Sequence, residues 1–110
     1  MDPITAAVPP RAETWLDEYR ERIETIRARA EDARSRMAAV TATAQTRDGA
    51  VAVTVDASGT LAGLHLGVRA DDLPRARLAE TVLRLSREAA ADARAQVEAI
   101  MEPLTAEAGS

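Results

Sequence analysis

The stretch Thr41–Gly67, TATAQTRDGAVAVTVDASGTLAGLHLG, decides the fold. Val51, Val53 and Val55 alternate with Ala52 and Thr54, which places the valines on one face of a strand. Asp48-Gly49 precedes this run and Ser58-Gly59 follows it. Both pairs read as turns, because glycine accepts positive φ and Asp or Ser favours the turn around it. Leu64 and Leu66 share one face of a following strand, His65 points to the other, and Gly63 marks a bulge or a close backbone approach. The spacing predicts three antiparallel strands in a meander, over 41–47, 50–57 and 60–67.

Outside this stretch the period changes from two to about three and a half. No glycine or proline falls between Ala12 and Val40, and small or apolar residues recur at Leu16, Tyr19, Ile23, Ile26, Ala30, Ala33, Met37 and Val40. Those alternating steps of three and four predict a helix over 12–40 with a heptad seam. Its core of roughly 28 residues would be about 42 Å long, too long to bury within so small a monomer. On the other side, Asp71-Asp72-Leu73-Pro74 reads as a helix start, with carboxylates at the cap and proline in the first turn. Leu78, Val82, Leu85, Ala89, Ala93, Val97 and Ile100 form the stripe of a helix over 72–102 that stops before Pro103. Residues 1–11 are expected to be a flexible leader, 103–110 a flexible tail, and 12–102 one domain.

The fold class is therefore α+β: long N-terminal helix, three-stranded antiparallel meander, C-terminal helix. A three-stranded sheet has two faces and two edges, and a chain of 11.7 kDa covers them poorly. A second copy would meet that need. The expectation is a homodimer joined through Val51, Val53, Val55, Leu64 and Leu66, with the long helices leaving as arms.

Charge is sorted along the first helix. With Leu16 at heptad position a, Arg20, Arg27 and Arg34 fall at e, and Arg22, Arg29 and Arg36 fall at g. Asp17, Glu18, Glu21, Glu24, Glu31 and Asp32 fall at b, c or f, on the outer side. Self-pairing of this seam would confront arginine with arginine. Two readings stay open. The rows could be salt-bridge flanks to the C-terminal helix, where Glu80, Glu88, Asp92 and Glu98 are candidate partners. Alternatively they face outward and meet the phosphates of duplex DNA, which the planar guanidinium fork suits.

Composition excludes much else. There is no cysteine and one histidine among the 110 residues, so disulfide scaffolds and Cys- or His-based metal cages are ruled out. No apolar run is long enough to span a membrane, and Met1–Pro10 lacks the pattern of a secretory signal, so a cytoplasmic protein is expected. All 14 basic residues are arginine and 25 residues are alanine, usages that reflect codon bias first. The formal net charge of −4 argues against coating nucleic acid by bulk charge. Ser35, Ser58 and Ser86 have no base at a telling spacing, and His65 has no catalytic neighbours. Asp71-Asp72 fits a cap better than a cation site, the glycines fit turns rather than a phosphate loop, and Trp15 and Tyr19 fit packing. No enzyme, cofactor or metal is indicated.

The order of parts resembles the YbaB/EbfC family of nucleoid-associated proteins over roughly residues 13–102. The likeness rests on a long charged helix with Met37 near its end, the hairpin Arg47-Asp48-Gly49-Ala50-Val51, the strand and turn Val51–Gly59, Leu61–Leu66, and an alanine- and arginine-rich last helix. That resemblance implies an α-β-β-β-α homodimer with tweezer-like arms and non-enzymatic, consensus-free binding of double-stranded DNA at the nucleoid. The DNA contacts fall to Arg20, Arg22, Arg27, Arg29, Arg34 and Arg36. The alternative is a protein-interaction scaffold that grips another helical protein and leaves DNA alone, as in related sheets encoded beside type VII secretion systems.

Overall fold

The structure, a computed structural model, describes residues 10–108, with side chains described for 13–106. In chain order it contains α1 (Pro10–Ala38), β1 (Thr41–Gln45), β2 (Val51–Asp56), β3 (Leu61–Leu66), a 3-10 turn (Val68–Asp72) and α2 (Arg75–Ala108). The expected leader lies outside the described residues except for its last two, which already belong to α1. The chain divides into two compact units, between Asp32 and Ala33.

The first unit is the N-terminal part of α1, where every described side chain from Glu13 to Asp32 is exposed. Thr25, a residue that competes with helix formation, is accommodated by donating its hydroxyl to the Glu21 carbonyl at 2.8 Å. Trp15 and Tyr19, one turn apart, stack with ring centroids at 5.7 Å and planes 16° from parallel.

The second unit starts where the same helical stripe becomes covered. Ala33 and Val40 are buried and Met37 is packed against the core they belong to. The helix ends by tightening, with Val40 N–H reaching the Met37 carbonyl at 3.2 Å. The chain then enters a three-stranded antiparallel sheet in the order β1-β2-β3. Both turns are built as expected. Gly49 has φ of 73° and Gly59 has φ of 83°, the left-handed region that side chains avoid. Asp48 Oδ1 accepts from Ala50 N–H at 3.0 Å and from the Thr46 hydroxyl at 2.8 Å. Asp56 Oδ1 plays the same part in the second turn, accepting from the Ser58 hydroxyl at 2.7 Å and from the N–H groups of Ser58 and Thr60, both at 3.0 Å.

Helix α2 lies over β1 and β2 and buries the valine face. Val51, Val53 and Val55 are at most 1% exposed, beside Ala42, Leu85, Ala89 and Ala93. Alanines at 89 and 93 let the helix backbone approach the sheet closely. One flank of α2 reaches β1, where Gln96 Nε2 donates to the Thr41 carbonyl at 3.1 Å. The opposite flank reaches the β2–β3 turn, where Ala90, Arg94 and Val97 face Ala57, Ser58 and Gly59 across a groove of about 130 Å³.

The element ends differ from the sequence reading in ways that have physical reasons. Strand pairing covers 41–45, 51–56 and 61–66, because the flanking residues are spent on turns. Asp71 and Asp72 belong to the 3-10 turn and cap no α-helix. Helix α2 instead starts after Pro74, whose carbonyl accepts from Leu78 N–H at 2.9 Å. The same helix runs through Pro103 to Ala108. Leu104 continues the apolar stripe onto the core, and that packing outweighs the lost hydrogen bond.

Candidate nucleic-acid interface

Helical geometry fixes where the arginines of α1 stand. At 100° per residue, Arg20, Arg27 and Arg34 form a row on one side of the Leu16–Tyr19–Ile23–Ile26 stripe, and Arg22, Arg29 and Arg36 form a row on the other. All six are exposed. Arg20, Arg22, Arg27, Arg34 and Arg36 have no carboxylate oxygen within 4 Å among the described residues. Within the second unit, Arg34 and Arg36 form no salt bridge with a described carboxylate, so the salt-bridge reading is not realised at those two positions. Glu80, Glu88, Asp92 and Glu98 were its proposed partners. Of these, Glu88 pairs within its own helix, 3.8 Å from Arg84.

On the flank of the Arg20–Arg27 row, Tyr19, Arg20, Ile23, Glu24 and Arg27 line a shallow groove of about 210 Å³. Its lining combines the Tyr19 ring and Ile23 with the Arg20 and Arg27 guanidinium groups and the Glu24 carboxylate. Such a surface can receive phosphate oxygens at its rim.

The other sequence-derived residues separate into two groups. Val51, Val53 and Val55, expected at an interface between copies, are occupied by the chain's own α2. Leu64 and Leu66 are each 48% exposed on the same sheet face. Leu61 joins them, which the alternation alone does not show. The pairing slips between Thr54 and Val55, so that Gly63 opposes Thr54 while Leu61 opposes Val55. Ala62 is the extra residue of a bulge, and the slip turns Leu61 onto the face of Leu64 and Leu66. Gly63 was the signal for it. Leu83 lies seven residues before Ala90 on the flank of α2 that faces the β2–β3 turn, and it too is exposed.

His65 opposes Ala52 on the other sheet face, where it is exposed. Thr43 and Thr54 share a hydrogen bond of 2.8 Å on that face. Ser86 donates to the Val82 carbonyl at 2.8 Å and is held within its helix. Among the described residues no cluster of three or more histidines and carboxylates could hold a metal ion, and no helix is long and apolar enough to cross a membrane.

The model of the YbaB/EbfC DNA-binding family matches residues 14–108, which takes in nearly all of α1, the sheet and α2. No curated protein and no solved structure matches the chain.

Proposed function

The chain belongs to the YbaB/EbfC DNA-binding family, and on that footing we propose that it binds duplex DNA as a nucleoid-associated homodimer, without enzymatic activity and largely without regard to sequence. The observation that carries this reading is the pair of arginine rows on α1. Arg20, Arg22, Arg27, Arg34 and Arg36 are exposed and, among the described residues of their own units, lack carboxylate partners, and the rows repeat every seven residues along the helix. That repeat lets several guanidinium groups engage phosphates at once, and contacts of this kind carry no base information. Arg29 occupies the corresponding place in the second row.

Single strands are the poorer ligand. They need aromatic platforms; the chain has no phenylalanine, and its one tryptophan and one tyrosine, Trp15 and Tyr19, are stacked on each other.

The dimer is assigned to β3. It is an edge strand with a free row of backbone groups, and Leu61, Leu64 and Leu66 stand beside that edge half exposed. The other edge, β1, has Gln96 bonded to its first carbonyl and alanines on its inner face.

Mobility shifts with unrelated duplexes over a salt series test the DNA reading. Affinity should vary little with sequence and fall steeply with salt. Replacing Arg20, Arg27 and Arg34 together by Gln should reduce the slope of log affinity against log salt by about 3 per protomer, with the oligomeric state unchanged. An unchanged slope would remove these arginines from the contact.

A further inference from the structure

We propose that the bare seam of α1 is a docking site for a helix of a different protein, one that carries its own heptad stripe and glutamate or aspartate on both flanks. The proposal goes beyond DNA binding, and it does not depend on it.

Leu16, Tyr19, Ile23 and Ile26 occupy successive a and d positions and are between 37% and 50% exposed. Four large apolar side chains in heptad register, uncovered, are unusual on a free surface; farther along, the same stripe is satisfied, with Ala33 and Val40 buried in the core. A seam limited to a and d positions fits one partner helix. A helix that lies on a bilayer needs a broader apolar arc.

The flanks decide the partner's chemistry. A second copy of α1 in parallel would set the row containing Arg22 and Arg36 against the row containing Arg20, Arg27 and Arg34. An antiparallel copy would set each row against itself. Guanidinium faces guanidinium either way, which disfavours both. Nor does α2 of a second copy supply the missing stripe. The large apolar side chains it exposes, Leu83 and Met101, lie five turns apart. A helix with carboxylates at e and g meets the arginines with opposite charge over three heptads and covers the four apolar side chains between them.

The full-length protein can be titrated with a synthetic four-heptad peptide carrying Ile at a, Leu at d and Glu at e and g. The control peptide has Arg in place of Glu. Trp15 is the only tryptophan, sits beside the seam and is exposed, so its emission should move to the blue on docking. Saturable binding of the acidic peptide with that shift, and none of the control, is the expected result.

Leu16→Ser with Ile26→Ser, both outside the groove lined by Arg20 and Arg27, leaves every charge in place and should weaken the acidic peptide roughly a hundredfold. Both side chains are exposed, and unchanged far-ultraviolet circular dichroism would verify that the helix persists. The same double variant should still shift duplex DNA, so failure of docking and failure of DNA binding are separable. Equal binding of both peptides, binding of neither, or an acidic peptide indifferent to the serine substitutions would overturn the proposal. So would a blue shift produced by phosphatidylglycerol vesicles but not by the acidic peptide, which would make the seam a membrane face.

Discussion

Val53 and Leu64 stand directly opposite each other in the β2–β3 ladder, on the same face of the sheet, yet Val53 is fully buried and Leu64 is 48% exposed. The contrast arises because α2 lies over β1 and β2 and leaves β3 uncovered. An apolar face has been built one strand wider than the chain's own helix can cover.

That mismatch predicts the contact of the proposed dimer. Burying a half-exposed leucine contributes about 1 kcal/mol, so four such side chains, Leu64 and Leu66 from each of two copies, contribute about 4 kcal/mol. Replacing both by Ala should raise the dimer dissociation constant about a thousandfold, read by analytical ultracentrifugation. Folding of the single chain should change by only about 0.5 kcal/mol per site. If the double variant sediments as the parent does, β3 is not the joining edge.

Much of this was legible in the sequence, and the reason is periodicity. Val51, Val53 and Val55 announced a strand, and Asp48-Gly49 and Ser58-Gly59 announced the turns on either side of it. The seam from Leu16 to Val40 announced α1. Local pattern could not say which neighbour covers an apolar face. The valines and Leu64 share one alternation, and tertiary placement of α2 alone separates them. Leu61 was missed because Ala62 inserts an extra residue and inverts the alternation. Asp71 and Asp72 have the composition of a cap, but the chain spends them on a 3-10 turn before the helix begins. On α1, residue types located the arginines; whether carboxylates neutralised them depended on distances that spacing does not contain.

Core packing offers a sharper contrast along α2. Leu85 is 1% exposed and Leu83, two residues earlier, is 57% exposed. Leu85→Ala should cost about 2–5 kcal/mol through the cavity it leaves. Leu83→Ala should cost under about 0.5 kcal/mol for the single chain. Urea denaturation below the dimer dissociation constant distinguishes the two. Equal costs would mean that α2 is rotated from the position described.

Both turn carboxylates make stability depend on acid. The pKa of Asp48 is held below its ordinary 3.8 chiefly by Ala50 N–H and then the Thr46 hydroxyl, with help from the Arg69 charge. That of Asp56 is lowered from 3.8 chiefly by the Ser58 hydroxyl and then by Thr60 N–H. A folded-state pKa below the unfolded one means that the folded protein binds the proton less readily. The stabilisation is complete above about pH 4 to 5 and disappears as pH falls through the lowered values. Asp56→Asn should therefore flatten the acid limb of a plot of melting temperature against pH. A parallel displacement of the whole curve would show that the charge of Asp56 is irrelevant.

The two turn glycines should fail for backbone reasons rather than for lack of room. A β-carbon on Gly49 would meet nothing within 4 Å, and one on Gly59 would sit 3.5 Å from the Ala90 side chain, an ordinary contact. Both residues nonetheless hold positive φ. Alanine at either position should cost about 1–2 kcal/mol, and asparagine less, since it tolerates the left-handed region. Equal losses for Ala and Asn at Gly49 would point away from φ as the cause.

Pro103 sets a final test, because a helix rarely continues through proline without compensation. Here the ring removes the amide that would bond to the Ala99 carbonyl, yet α2 persists to Ala108. Ile100 is buried, Leu104 packs on the core, and the Thr105 hydroxyl donates to the Met101 carbonyl at 3.1 Å. If packing by Leu104 holds the segment, Leu104→Ala should release the last turn. Hydrogen exchange at residues 104–108 would accelerate while exchange at 85–97 stays slow. Pro103→Ala should act in the opposite sense, restoring the amide and stabilising by up to about 3 kcal/mol. Should Leu104→Ala leave exchange untouched, the helix beyond Pro103 would owe its persistence to local propensity, and the core would end at Ile100.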